Sequence, residues 1–277
     1  MKVFIEEIYD YANIYKNNIA EFENSTLFCF EDNLKRLLHI LKTLDISTFH
    51  PYILYLLKKY NDENEVSLRL KILETLIIKR MLLNHEIKSY NKLCKDFIAD
   101  ENIVLTKAQT ITDDDILKNL ENISNKNASL ILFWLELYRR HNDTKQSVKE
   151  LKYNYSLEHI MPQKWEEYWS NVPFYDETNN IIVDQVLGKA ARYKKIYYIG
   201  NMTLLNSRLN TSLRNYEYQK KIEGEGRKKG IRHYSDLFIT KIDIISEYDN
   251  GNKIWDERSI INRTKKLGEE ILKIWKI

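Results

Sequence analysis

Only seven glycines and three prolines interrupt this 277-residue chain, and that scarcity limits what it can fold into. Sandwiches and small barrels need frequent tight turns, which draw on glycine and proline; long helices with short connections do not. The apolar residues agree with helices. Phe4, Ile5, Ile8, Tyr9 and Ala12 recur at helical spacing, as do Leu34, Leu37, Leu38 and Leu41. Pro51 opens a third helix, and the run from Ser67 to Leu83 is amphipathic through Leu70, Leu73, Leu76, Ile77 and Met81. Tyr90 to Ile98 follows. Thr112-Asp113-Asp114-Asp115 supplies a helix start, with acids where the dipole favours them. Ser129 to Arg140 is apolar nearly all round and reads as a buried helix. Residues 1 to about 150 are therefore expected to be helical throughout. No fixed-period repeat points to a solenoid. With 43% hydrophobic residues the chain can fill the cores of two domains.

The polar stretch His141 to Glu150 is the best boundary, and beyond it the pattern changes. Tyr153 to Leu157 is β-prone and runs into Glu158-His159-Ile160-Met161-Pro162, where the proline stops the strand. A long excursion, 163–191, carries Trp165, Trp169, Pro173 and Gly188. A second β-prone run, Ile196 to Leu205, holds Gly200-Asn201. Asn206 and Asn210 come next, at the start of an expected helix from Ser207 to Ile222. The glycines between Glu223 and Gly230 mark a loop. Helices are expected over Ser235 to Tyr248 and Glu257 to Ile274.

A histidine, a carboxylate and amide oxygens in this order are the parts needed to hold one divalent cation and one water, and so to cut a phosphodiester bond. A free imidazole titrates near ~6.5, so His159 can take a proton from water at neutral pH. Strand alternation places Glu158 opposite His159 unless the strand ends there. An amide oxygen such as that of Asn210 is a hard ligand suited to Mg²⁺. Each residue also has a plainer reading: a structural histidine, a glycine–asparagine turn at Asn201, a helix cap at Asn206 or Asn210. Trp165 and Trp169, four apart, read as packing.

Charge is uneven. Lys189 to Tyr234 holds twelve Lys/Arg against three Asp/Glu, leaving the rest of the chain net acidic, 31 against 37. A basic block around this cluster points to a polyanionic substrate, although a solvated basic helix has the same composition. Arg208, Arg214, Lys220 and Lys221 are its phosphate-contact candidates, with Asn206 beside them. Cys29 and Cys94 stand alone, which excludes a four-ligand zinc ribbon and a disulfide framework. A cytoplasmic setting is the expectation. No apolar run is long enough to span a membrane, and the acidic start, with Glu6, Glu7 and Asp10, does not resemble a signal peptide.

Strand, long loop, strand, helix, with histidine ending the first strand and asparagine opening the helix, resembles the ββα-metal arrangement of HNH, or His-Me finger, nucleases. More narrowly, the chain resembles the C-terminal domain of GmrSD-type modification-dependent restriction endonucleases and their phage-defence relatives. The residues that carry this are Glu158 to Pro162, Gly200-Asn201 with Thr203-Leu204-Leu205, Asn206, Asn210 and Lys220-Lys221. Trp255, Arg258, Ile260, Arg263 and Leu267 resemble the family's terminal helix, and Glu74 to Arg80 with Ser89 to Lys92 resemble its helical region. Met202 stands where leucine is usual, and Glu158 where many relatives have aspartate.

The resemblance implies a mainly α protein with a small α+β part. Residues 1–150 would form a helical docking region for a sensor domain, and residues 151–277 an HNH-like nuclease. It implies metal-dependent nicking of DNA, modified phage DNA among the forms, with His159 as general base and Asn201 bracing its loop. Asn210 would hold Mg²⁺ or Mn²⁺. Glu158 would either join it directly or support it from behind. The nucleotide-hydrolysing sensor of such systems has no counterpart here and is expected in a further segment or another chain. Two rival readings remain: a non-catalytic nucleic-acid-binding or regulatory module with a degenerate site, and a helical partner-binding protein.

Overall fold

Helices begin where a short polar side chain meets an apolar run. The Asp32 side chain accepts from Lys35 N at 2.9 Å, Asp62 from Asn64 N at 2.9 Å, Ser124 from Asn127 N at 3.3 Å, and Asp184 from both Val186 N and Leu187 N. A computed structural model describes residues 2–22, 26–213 and 215–276. It is mainly helical, with three two-stranded antiparallel sheets among the described residues, and it divides into two compact units.

The first unit takes residues up to Thr112, Ser147–Tyr153 and the C-terminal end from Trp275. Its helices are α1 (Lys2–Tyr15), α2 (Asn33–Thr43), α3 (His50–Lys59), α4 (Glu63–Leu82), α5 (Tyr90–Ala99) and α6 (Asn102–Gln109). A short ladder, β1 (Leu27–Phe28) with β2 (Leu151–Lys152), joins distant parts of the chain. Inside this unit Glu74 receives Arg36 Nε at 2.8 and 2.9 Å and Trp275 Nε1 at 2.8 Å, so a fully buried carboxylate is held by two donors. Lys79 reaches Ala108 O and Ile111 O at the end of α6.

The second unit runs over Asp113–Gln146 and Asn154–Ile274. It opens with α7 (Asp113–Asn119) and α8 (Asn125–Asn142). Leu130 to Leu135 are all 0% exposed, because α8 is apolar nearly all round. Next comes an antiparallel hairpin, β3 (Ser156–His159) with β4 (Met202–Leu205), in the register Ser156↔Leu205, Leu157↔Leu204, Glu158↔Thr203, His159↔Met202. Between these strands lie α9 (Glu166–Trp169) and α10 (Gln185–Lys195). After β4 come α11 (Ser207–Leu213), α12 (Tyr218–Glu223), the hairpin β5 (Gly224–Glu225) with β6 (Lys228–Lys229), α13 (Ile231–Tyr234), α14 (Phe238–Thr240), α15 (Ser246–Asp249) and α16 (Glu257–Ile274). One apolar core carries Ile160, Met161, Trp165, Trp169, Trp255 and Ile260 among others.

Three local expectations change. The excursion 163–191 holds α9 and runs into α10, which Asp184 caps and in which Gly188 packs against the Phe174 ring. The second strand starts only at Met202: Ile199–Asn201 is a tight turn in which Asn201 N bonds Tyr198 O and Ile199 N bonds Leu120 O. The expected helix 207–222 is two helices, α11 and α12, with residues 215–217 outside both and Trp169 Nε1 donating to Tyr216 O at 3.2 Å. Among the described residues no helix is long and apolar enough to cross a membrane.

Candidate active site

The β3–β4 hairpin ends in a corner built around one amide. Asn201 is fully buried. Its Oδ1 accepts from Met161 N at 2.9 Å and from Trp255 Nε1 at 3.2 Å, and its Nδ2 donates to Met161 O at 2.9 Å and Ile196 O at 3.0 Å. Its own carbonyl accepts from Ile160 N at 2.9 Å. All four side-chain capacities are used, so Asn201 holds the turn after His159 and has nothing left for substrate.

Helix α16 supports the same corner. Arg263 Nη1 donates to Gly200 O at 2.9 Å and Met202 O at 2.6 Å, and Thr264 Oγ1 accepts from Gly200 N at 3.1 Å. A side chain at Gly200 would collide with Ile260 O and Thr264 Oγ1. Glycine is required there by the closeness of the helix.

His159 is half-buried at the end of β3, its ring edge-on to Tyr197 at 6.3 Å. Its Nε2 is buried and has no hydrogen-bond partner among the described residues. Burial, and then the positive charge of Lys221, bring its pKa from 6.5 to about 4. The imidazole is neutral at pH 7.

Glu158 is ion-paired with the Nζ of Lys221. Lys221 lies on α12, is fully buried, and also donates to His159 O at 2.8 Å. Burial pushes the Glu158 carboxyl above the usual carboxylate range and the Lys221 ammonium below its usual value, and each charge is the main support of the other. Asn210, on α11, donates from Nδ2 to Leu157 O at 2.8 Å and Ser156 Oγ at 3.1 Å. Its Oδ1 receives no donor among the described residues.

The remaining sequence candidates are spread around this corner. Asn206 is exposed and caps α11 by accepting from Arg208 N at 3.0 Å. Arg208 is exposed. Lys220 is tied to Glu225 at 3.1 Å and Glu217 at 3.7 Å. Lys221 points inward, and Arg214 lies outside the described residues. Sequence reasoning missed the Lys221–Glu158 pair and the Tyr197 ring; the adjacency of Lys220 and Lys221 suggested one shared face for both.

No group of three or more His, Cys, Asp or Glu side chains that could hold a metal ion occurs among the described residues. The donors present still fit a hard divalent ion that keeps water and takes substrate phosphate oxygens as ligands. Asn210, on α11, offers an amide oxygen on a side chain tethered to β3, and His159, at the end of the same strand, an orphaned ring nitrogen. Glu158 fits less well as it stands, because the Lys221 ammonium already occupies its carboxylate.

Hairpin, corner and supporting terminal helix together define a mainly helical protein whose second unit displays a histidine–carboxylate pair at a strand end. Residues 110–270, more than half of the chain, match the family described as GmrSD restriction endonucleases, C-terminal domain, and the chain belongs to that family. Searches of curated proteins and of solved structures returned no match.

Proposed function

We propose that residues 151–277, which make up most of the second unit, form an HNH-like, metal-dependent nuclease domain that nicks DNA with His159 as general base. The observation that carries this reading is the hairpin itself: a neutral, half-buried histidine with an unpartnered ring nitrogen, at the end of a strand whose backbone is tied to Asn210. Family membership supports it. A neutral His159 accepts the proton of the attacking water. The phosphodiester's negative charge beside the ring raises its pKa toward the working range. Asn210 and, once released by Lys221, Glu158 are the residues assigned to Mg²⁺ or Mn²⁺; such an ion, when bound, stabilises charge that develops on the phosphate oxygens. Asn201 keeps the histidine-bearing turn in place. Asn206 and Arg208 are exposed and are the first phosphate contacts; Lys220 and Lys221 must exchange carboxylate partners to act as such. One site cuts one strand. The helical residues 1–150 are assigned to docking a nucleotide-hydrolysing sensor, and residues 151–277 to cleavage.

Relaxation of supercoiled plasmid tests the reading. Metal-dependent nicking that EDTA abolishes, and that His159→Ala lowers by about 10²–10⁴-fold, is the expected result. The Lys221 ammonium on Glu158 favours a second reading, a non-catalytic nucleic-acid-binding module. DNA binding with no cleavage by the wild-type chain, alone or with its sensor, would support that one.

A further inference from the structure

The cations of the basic block are not equivalent. Arg192 is paired with Glu257, Lys195 with Glu177, Lys220 with Glu225, Lys221 with Glu158, and Arg232 with Glu223 and Asp249. Arg208, Arg227, Lys228 and Lys229 have no carboxylate partner among the described residues, and all four line one groove of about 450 Å³. Among the described residues no acidic side chain lines it. Leu209 and Ser212 of α11 lie along it, and the Tyr234 ring, 60% exposed, stands at its edge.

The opposite wall is the β5–β6 hairpin. Glu225 pairs with Lys228, so its loop is the two residues Gly226-Arg227. Gly226 has φ +59°, the left-handed conformation that a tight hairpin of this length asks for at its first loop position. The turn therefore puts Arg227 at the tip and the two lysines directly after it. Glu225, opposite Lys228 in the ladder, is ion-paired with Lys220, so three like charges stand together in excess of counter-charge, which is unfavourable unless an anion is present. The groove also adjoins the candidate centre, because α11 belongs to both: Asn206 and Leu209 line the groove, and Asn210 is bonded to Leu157 O on β3.

We propose that this groove is the track for one nucleic-acid strand of the substrate, with phosphates on Arg208, Arg227, Lys228 and Lys229 and a base or sugar against Tyr234. This rests on the nuclease reading of the neighbouring centre. It moves most of the substrate binding from Lys220 and Lys221, which are internally neutralised, to a hairpin the basic-block argument did not single out. Cations hold the backbone without reading sequence. The aromatic face accepts any base that leaves the stack.

The test is binding of fluorescein-labelled DNA, single-stranded and duplex, by anisotropy in EDTA, so that no cleavage intervenes. The full chain is compared with Arg227→Ala/Lys228→Ala/Lys229→Ala, with Tyr234→Ala, and with Lys88→Ala/Lys92→Ala/Lys95→Ala, which removes the same charge from exposed sites elsewhere. The groove variant should bind about tenfold or more weakly, and its dependence of log K on log salt should flatten by about 0.9 for each phosphate that is no longer neutralised. Tyr234→Ala should weaken single-stranded DNA more than duplex. The charge control should stay within about twofold of wild type. Equal weakening in the groove and control triples, or none in the groove triple, would overturn the proposal. So would the absence of DNA binding by the wild-type chain. Groove-dependent binding without nicking would leave the groove standing and remove the nuclease reading; nicking unaffected by the groove triple would do the reverse. The substituted residues are exposed, and an unchanged melting temperature verifies that the variants fold.

Discussion

Lys221 Nζ is bonded to a Glu158 carboxylate oxygen and to His159 O at 2.8 Å, so one buried ammonium holds two consecutive residues of the candidate centre. Removing one member of such a pair leaves an uncompensated buried charge. Lys221→Met should therefore destabilise the protein by about 3–5 kcal/mol. The double variant with Glu158→Gln should be more stable than the sum of the two single losses requires. Urea unfolding of the four proteins measures this; additive losses would mean that the two charges are not coupled.

Asn201→Ala should lower stability, because Met161 N, Met161 O, Ile196 O and the Trp255 indole are all left without their partner. Each buried group left unpaired costs about 1–3 kcal/mol. Asn201→Asp keeps the two acceptor bonds but sets a buried carboxylate oxygen against Met161 O and Ile196 O, so its melting temperature should fall at least as far as that of the alanine variant. A wild-type melting temperature for Asn201→Ala would refute this account of the corner.

Gly200→Ala places a methyl against Ile260 O and Thr264 Oγ1, both on a helix that Arg263 clamps to the same corner. Ordinary overpacking costs about 1–3 kcal/mol, and a clash with backbone should reach or exceed the top of that range. Calorimetric melting is the measurement, and nicking should fall in parallel because Asn201, next in the same turn, holds the two residues after His159.

In the first unit His39 lies 4.3 Å from the Phe28 ring and 4.6 Å from that of Tyr153. Burial, then the charge of Lys42, bring its pKa from 6.5 to about 4. The unfolded chain takes up this proton near pH 6.5 and the folded chain only near pH 4, so stability is present above pH 6.5 and is lost as pH falls between those values. The slope is about 1.4 kcal/mol per pH unit. His39→Gln should lose about 2 kcal/mol less than wild type between about pH 7 and about pH 5, read by urea unfolding at the two values. Equal losses would show that His39 is not held neutral.

Much of this protein is legible residue by residue. Thr112 and the three aspartates after it announce a helix start that the structure contains, and α16 runs over the expected residues, Glu257–Ile274. The strand-end pair Glu158-His159 and the corner Gly200-Asn201 face each other in one hairpin, as their order in the chain suggests. The sequence misleads where a residue's usual role is overruled by what packs on it. The stretch around Gly188 reads as part of a long excursion, yet it lies inside α10, where the Phe174 ring packs against it and leaves no space for a side chain. Ile196 to Ile199 reads as strand, yet the chain turns there because Asn201 Nδ2 donates to Ile196 O and Asn201 N to Tyr198 O.

By itself the sequence determined what depends on near neighbours: helical content, caps, the strand-end histidine, the glycine–asparagine corner and the local excess of positive charge. Only the tertiary structure decided which charges are spent. Lys220 and Lys221 are adjacent and alike in sequence, but one leans on surface carboxylates and the other is buried on Glu158, 63 residues away. Arg227, Lys228 and Lys229 stay in excess because, among the described residues, no acidic side chain lines their groove and the nearby Glu225 is paired with Lys220. Pairing of charge is a matter of distance in space, and Coulomb energy falls with that separation whatever the separation along the chain.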